Sequence, residues 1–200
     1  MLRFENVSFN TPNKCILNGC SYIFNKGIYI LQGESGIGKT TLLNLACGYL
    51  TPNTGSVIKK NDSHISYMFQ EDMLFHNLTV RENMNIKCNA INLDMEIREK
   101  IFEKVCEKFK IYDKIDCLVQ FLSGGEKKRV QLAMLAIDDC DIWLLDEPIA
   151  NLDSQNSEMI MDYLFSQKQK LIIIVSHQYI TKKDHEFVLL EMKDGRIYEK

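Results

Sequence analysis

The apolar positions divide the chain into short strands and a few helices. Leu2, Phe4 and Val7 to Phe9 mark a first strand, and Ile16 to Phe24 a second. Asn25-Lys26-Gly27 reads as a turn, and Ile28 to Gln32 is a short apolar run of the kind a buried strand shows. A glycine-rich segment follows, then helical character from Thr40 to Tyr49. Pro52-Asn53-Thr54-Gly55 predicts a turn, and strands are expected at Ser56–Lys59 and Ile65–Phe69.

From Glu71 to about Gln120 the character changes. Charges become dense, and Ile97, Ile101, Val105 and Phe109 recur every four residues, which predicts one apolar face of a helix. This stretch reads as an inserted helical subdomain. Alternation then resumes, with a helix after Ser123, a strand at Ile142–Leu145, a helix after Asp153, and strands at Leu171–Val175 and Phe187–Met192. Strands alternating with helices predict an α/β fold with a largely parallel core sheet.

Composition narrows the class. The chain has 200 residues, 46% of them hydrophobic and 26% charged, as in a globular protein of one domain. A net charge of −3 gives no basic field for nucleic acid, so no nucleic-acid partner is expected. No apolar run reaches the roughly 18 residues of a membrane-spanning helix. The first ten residues read as a strand, without a signal-peptide pattern. The seven cysteines are scattered, with no CxxC pair, and read as reduced thiols that partly fill the core.

Gly33-Glu34-Ser35-Gly36-Ile37-Gly38-Lys39-Thr40 matches G-x-x-x-x-G-K-[ST] in full, between an expected strand and an expected helix. Glycines let the backbone curl so that its N–H groups face inward as an anion nest, and the helix adds its positive end. Lys39 supplies a point charge to β- and γ-phosphates. Thr40 supplies a hydroxyl to Mg²⁺, and Thr41 completes the nucleotide-binding set. Alone, the motif admits kinases, GTPases and ATPases.

A second motif is Asp141-Ile142-Trp143-Leu144-Leu145-Asp146-Glu147-Pro148, four apolar residues followed by two carboxylates. A buried strand would deliver both acids at its C-terminal end, the edge where open α/β sheets place ligands. Asp146 suits Mg²⁺, held through water, and Glu147 can orient or deprotonate an attacking water.

Leu122-Ser123-Gly124-Gly125-Glu126 closely resembles the LSGGQ signature of ABC ATPases and lies just before the acidic strand, as it does there. Gln70, in Phe69-Gln70-Glu71, resembles that family's Q-loop. Ala150-Asn151-Leu152-Asp153 resembles its D-loop, and Val175-Ser176-His177 its switch histidine. All occur in the family's order, from about Leu2 to Lys200. Ser123-x-x-Glu126 is at the same time a capping box, so both readings apply to it. His64, His76 and His185 have no such support.

The resemblance implies a P-loop NTPase core with a mostly parallel sheet, an N-terminal antiparallel β subdomain and an inserted α-helical subdomain at about 71–120. All lie in one nucleotide-binding domain spanning 1–200. It implies ATP and Mg²⁺ as cofactors, and a head-to-tail dimer, homodimer or pseudo-dimer, with two ATP molecules sandwiched between subunits. Ser123, Gly124, Gly125 and Glu126 would act on the partner's nucleotide. Glu147 would be the base, His177 would contact the γ-phosphate, Gln70 would sense Mg²⁺ or water, and Asp153 would link the two sites. A separate membrane permease would dock on Glu71 to Asn83, including Met73, Leu74, Phe75 and Leu78. The protein would then be cytoplasmic and peripheral on the cytoplasmic face of the cell membrane, and its short length leans towards export. A non-transport ABC ATPase is the alternative, although such proteins usually carry a coiled-coil insertion or tandem ATPase domains. A P-loop kinase would leave the signature and His177 unexplained. One departure concerns the base. Thr11 stands where the family usually places an aromatic residue that stacks on adenine, and Phe9 belongs to the strand pattern.

Overall fold

The structure is a computed structural model and describes residues 1–60, 63–138, 140–177 and 186–200. His185 lies outside the described residues. Nine strands and five helices are described, in the order β1 (Leu2–Thr11), β2 (Lys14–Phe24), β3 (Gly27–Gln32), α1 (Lys39–Cys47), β4 (Thr54–Lys59), β5 (Ile65–Met68), α2 (Val80–Ala90), α3 (Met95–Lys108), α4 (Gly124–Ile137), β6 (Ile142–Asp146), α5 (Ser154–Ser166), β7 (Leu171–Val175), β8 (Val188–Lys193) and β9 (Arg196–Glu199). The chain is an α/β protein, and it divides into two compact units. The first comprises Met1–Tyr67, Cys140–Pro148 and Tyr163–Lys200, and the second Met68–Asp139 and Ile149–Asp162.

The first unit carries the sheets. β2, β1 and β4 form an antiparallel three-stranded sheet, and a six-stranded sheet has the order β5-β6-β7-β3-β8-β9. Within the latter, β6, β7, β3 and β8 pair in parallel. Side-chain alternation explains why these strands read as unbroken apolar runs. Tyr29, Leu31, Ile142, Leu144, Leu171, Ile173 and Val175 belong to a core shared with Leu2, Phe4, Leu17, Phe24 and the α1 residues Leu42, Leu43 and Leu45. Their neighbours Ile28, Ile30, Trp143, Leu145, Ile172 and Ile174 point to the opposite face and are also buried. Both faces are therefore dry, as parallel sheets require. Trp143, the one tryptophan, stacks on Tyr163 at 6.2 Å and carries Lys170 Nζ 5.1 Å above its ring.

The second unit is helical. Thr79 caps α2 through a complete capping box with Glu82, and Asp94 caps α3. The expected apolar face of α3 needs correction. Val105 and Phe109 are buried, but Ile97 is 44% exposed, and the buried partners are Phe102 and Cys106. A step of four residues overshoots the helical repeat by about 40°, so the Ile97-to-Phe109 row winds around the helix instead of lining one side. The sequence pattern also missed β9. In Arg196-Ile197-Tyr198-Glu199 only Ile197 is buried, which is the signature of an edge strand, and β9 pairs antiparallel with β8. Among the described residues no helix is long and apolar enough to cross a membrane.

Candidate functional site

Three segments leave the six-stranded sheet at one level. Asp146 pairs with Val175 in the β6–β7 register, and Leu31 pairs with the same Val175 in the β3–β7 register. The residues that follow are Glu147, Ser176-His177 and Gln32-Gly33, so the acidic pair, the histidine and the glycine loop emerge together. They do so at the carboxyl edge of parallel strands, the place where α/β sheets bind ligands.

The loop's glycines are dictated by close approach. Gly33 has φ 151°, and a Cβ there would lie 2.9 Å from the Met192 carbonyl oxygen. Gly38 has φ 119°, and its Cβ would lie 2.4 Å from Ile16 Cγ2. Gly38 is also the N-cap of α1, whose first turn contains no acidic residue, so the positive end of the helix is not neutralised from within. Lys39 is buried, and its Nζ donates to the carbonyl oxygens of Gly33 and Glu34, both at 2.8 Å. Burial lowers the pKa of this ammonium, while the nearby Glu147 and Asp146 carboxylates oppose that shift. Glu34, Ser35, Ile37 and Thr41 complete the loop and the helix start. Ile37 N–H donates to Glu34 O at 3.4 Å. Lys14 was not singled out in the sequence. It starts β2 and donates from Nζ to Gly36 O at 3.0 Å, which ties the first hairpin to the loop.

The Thr40 hydroxyl donates to Asp146 Oδ2 at 2.6 Å. This pair, an exposed hydroxyl on a buried carboxylate, is a set of hard oxygens, which suits Mg²⁺, an ion that takes few protein ligands and keeps waters and substrate oxygens. Glu147 follows with φ 53°, a left-handed backbone uncommon for a residue with a side chain. Its N–H donates to Val175 O at 3.0 Å, and its buried carboxylate accepts from the His177 backbone N–H at 3.1 Å. The His177 ring Nε2 lies 3.5 Å from the same Oε1 and is half exposed. The first unit thus gathers Gly33 to Thr41, Asp146, Glu147 and His177.

Gln70, the Ser123–Glu126 segment and Asp153 belong to the second unit. Ser123 and Glu126 form a complete capping box at the start of α4. The serine oxygen accepts from Glu126 N–H at 3.3 Å, and the glutamate accepts from Ser123 N–H at 2.8 Å. Gly124 and Gly125 form the first turn, and a Cβ on Gly125 would lie 3.1 Å from Leu152 Cδ2. Asp153 accepts from the N–H and the side-chain amide of Asn156 at the start of α5. Gln70 is exposed, and its carbonyl oxygen accepts from Lys128 Nζ at 2.8 Å. Lys128 and Gln131 also went unmarked in the sequence. Their signal was two polar residues in a stripe completed by Leu132 and Leu135.

Comparison with known proteins agrees with this arrangement. The profile of the family described as ABC transporter matches residues 17–150. A thiamine import ATP-binding protein, ThiQ, of Vibrio cholerae is 37% identical over 164 residues, covering 75% of this chain and 68% of the relative. ThiQ of Histophilus somni is 33% identical over 208 residues, covering 98% of this chain and 96% of the relative. An ATP-binding cassette solved as a dimer in a post-hydrolysis state with ADP and phosphate superposes with a TM-score of 0.85 at 24% identity, covering all of this chain and 98% of that one. The α/β core is therefore a P-loop NTPase fold, and the chain belongs to the ABC transporter family as one of its ATP-binding, ATP-hydrolysing subunits.

Proposed function

We propose that this subunit hydrolyses ATP at the carboxyl edge of its parallel sheet and passes the resulting motion to a separate membrane permease. The observation that carries the reading is the placement of Glu147, a buried carboxylate held by the His177 backbone N–H within one cluster with the Thr40–Asp146 pair. The loop from Gly33 to Thr41 cradles the phosphates, and Lys39 exchanges its carbonyl partners for phosphate oxygens. Thr40 and Asp146, with Gln70, would hold Mg²⁺, which neutralises charge on the phosphates. Glu147 accepts the proton of the attacking water, and the His177 ring contacts the γ-phosphate.

Ser123, Gly124, Gly125 and Glu126 would engage the nucleotide of a second subunit. Ser123 caps α4 through its side chain, and the helix start offers the backbone N–H groups of Gly124 and Gly125 to that phosphate. Asp153 orders the start of α5 at the same interface, in a homodimer or a pseudo-dimer. ATP favours the closed pair, and loss of the γ-phosphate releases it. The permease would dock near Glu71 to Asn83, where Met73 is 67% and Phe75 54% exposed, and this would hold the subunit on the cytoplasmic face of the membrane. Short length does not favour export, since a relative of matching length is named for thiamine import.

The Glu147→Gln variant tests the assignment. It should bind ATP with unchanged affinity and hydrolyse it at least about 100-fold more slowly. It should also elute as a dimer in ATP but not in ADP. Turnover at the normal rate would remove Glu147 as the base.

A further inference from the structure

We propose that Lys128 and Gln131 are positioning residues for Gln70, so that the helix bearing the signature also sets the Q-loop. The inference rests on the proposed role of Gln70. The segment after β5 is irregular, and three of its consecutive residues are held by α4. Lys128 Nζ donates to Gln70 O at 2.8 Å, Gln131 Nε2 donates to Glu71 O at 3.2 Å, and Lys127 Nζ lies 3.8 Å from Asp72 Oδ2. Lys128 and Gln131 are three residues apart, on one helical face, and each is only 9% exposed. A buried lysine and a buried glutamine directed at two successive backbone carbonyls fix the peptide planes on either side of Glu71. They thereby fix the backbone from which the Gln70 side chain projects.

The far side of the segment is held separately. Asn83 of α2 accepts from Phe75 N–H at 2.8 Å and donates to Phe75 O at 3.1 Å. Gln70 therefore sits on a stretch gripped at both ends within the second unit. The grip at its own end comes from the helix whose first turn is Ser123 to Glu126. Lys128 lies two residues beyond Glu126 of that capping box, so a displacement of α4 on engaging the partner's nucleotide carries the carbonyl of Gln70 with it. This gives the Q-loop and the signature a shared rigid element, which is the physical requirement for coupling between them.

The test measures ATP hydrolysis and nucleotide binding for Gln70→Ala, Lys128→Met, Gln131→Leu and the Gln70→Ala/Lys128→Met double variant. Lys128→Met and Gln131→Leu should lower kcat by about 5- to 20-fold while leaving KM and nucleotide affinity within about twofold. Lys128→Arg, which keeps a donor, should recover most of the rate. The double variant should be no slower than Gln70→Ala alone, because both changes remove one function. Gln131→Leu guards against misfolding. Gln131 Oε1 is buried without a partner, so an apolar side chain there should preserve the melting temperature. Losses that multiply in the double variant, or a loss appearing in KM, would overturn the positioning role while leaving Gln70 in place. Normal turnover by Gln70→Ala would instead bring down the assignment of Gln70, and the positioning role with it.

Discussion

Thr40 and Asp146 stand 106 residues apart in the chain, yet the Thr40 hydroxyl donates to Asp146 Oδ2 at 2.6 Å. One lies in the first turn of α1 and the other ends β6, so the bond joins the glycine loop to the acidic strand before any ligand enters. The proximity follows from sheet order: β7 pairs with both β3 and β6, which brings the loop after β3 close to the end of β6.

This bond makes two separable predictions for Thr40→Val, which keeps the shape and removes the hydroxyl. Without nucleotide, the variant should lose about 1.5–3 kcal/mol of stability in urea unfolding, because a buried carboxylate gives up a donor. With ATP and Mg²⁺, hydrolysis should fall at least about 100-fold, since an oxygen ligand for the metal is gone. Thr40→Ser should restore both. Chelating divalent ions with EDTA should abolish wild-type hydrolysis while leaving the apo stability untouched. A Thr40→Val protein as stable as wild type would mean that the bond contributes nothing to the resting fold.

The capping box at Ser123 and Glu126 leads to a prediction about pH. The Ser123 backbone N–H, followed by its hydroxyl and the charges of Lys114 and Arg129, holds the Glu126 carboxyl below its usual value. A carboxyl whose pKa is lower when folded adds stability above its unfolded value near 4.5. That contribution disappears as pH falls through the folded value. Glu126→Gln keeps a side-chain acceptor at every pH and carries no charge. Wild type should therefore be the more stable of the two at pH 7, and the difference should shrink steadily once pH drops below about 4.5. Ser123→Ala should cost about 1 kcal/mol at neutral pH, the usual value of an N-cap. Parallel urea titrations across this range read both effects. A difference that stayed constant with pH would show that the glutamate's charge plays no part in the cap.

Much of this architecture was legible because it depends on short-range chemistry. Leu171 to Val175 is a strand from its first residue to its last, since five apolar β-formers in a row suit only a sheet covered on both faces. Ser123 and Glu126 announced the start of α4, because capping needs no tertiary context. The sequence was less informative where burial depended on distant partners. Ile97 resembled Val105 in pattern, but the helix turns it to solvent. Nothing in the sequence marked Lys128, whose Nζ donates to the Gln70 carbonyl oxygen at 2.8 Å. β9 carried almost no apolar signal, because an edge strand buries little. Within the site, motif spacing pointed to Gly33 to Thr41, Asp146, Glu147 and His177, which the first unit gathers, whereas the left-handed turn at Glu147 and the tether from Lys14 came only from three-dimensional closure.

Thr11 provides the last prediction. It ends β1, is exposed, and pairs with Lys14 across the hairpin turn, with its hydroxyl donating to Lys14 O at 3.1 Å. Lys14 in turn reaches Gly36 of the phosphate loop. The residue at position 11 thus stands on a hairpin tethered to the loop. Threonine there offers no ring for a base, and Phe9 packs against the core and is not available. Wild type should therefore discriminate weakly between purine bases, with KM values for ATP and GTP within about threefold of each other. Thr11→Tyr adds an aromatic face on a hairpin already tied to the loop. It should lower KM for ATP by about 5- to 20-fold, the range of a base–aromatic stack of roughly 1–2 kcal/mol, and leave kcat at saturating ATP unchanged. Steady-state hydrolysis of both nucleotides by both proteins reads this directly. A wild-type enzyme already selective for ATP by tenfold or more would show that the base is gripped elsewhere, and Thr11→Tyr would then leave KM where it was.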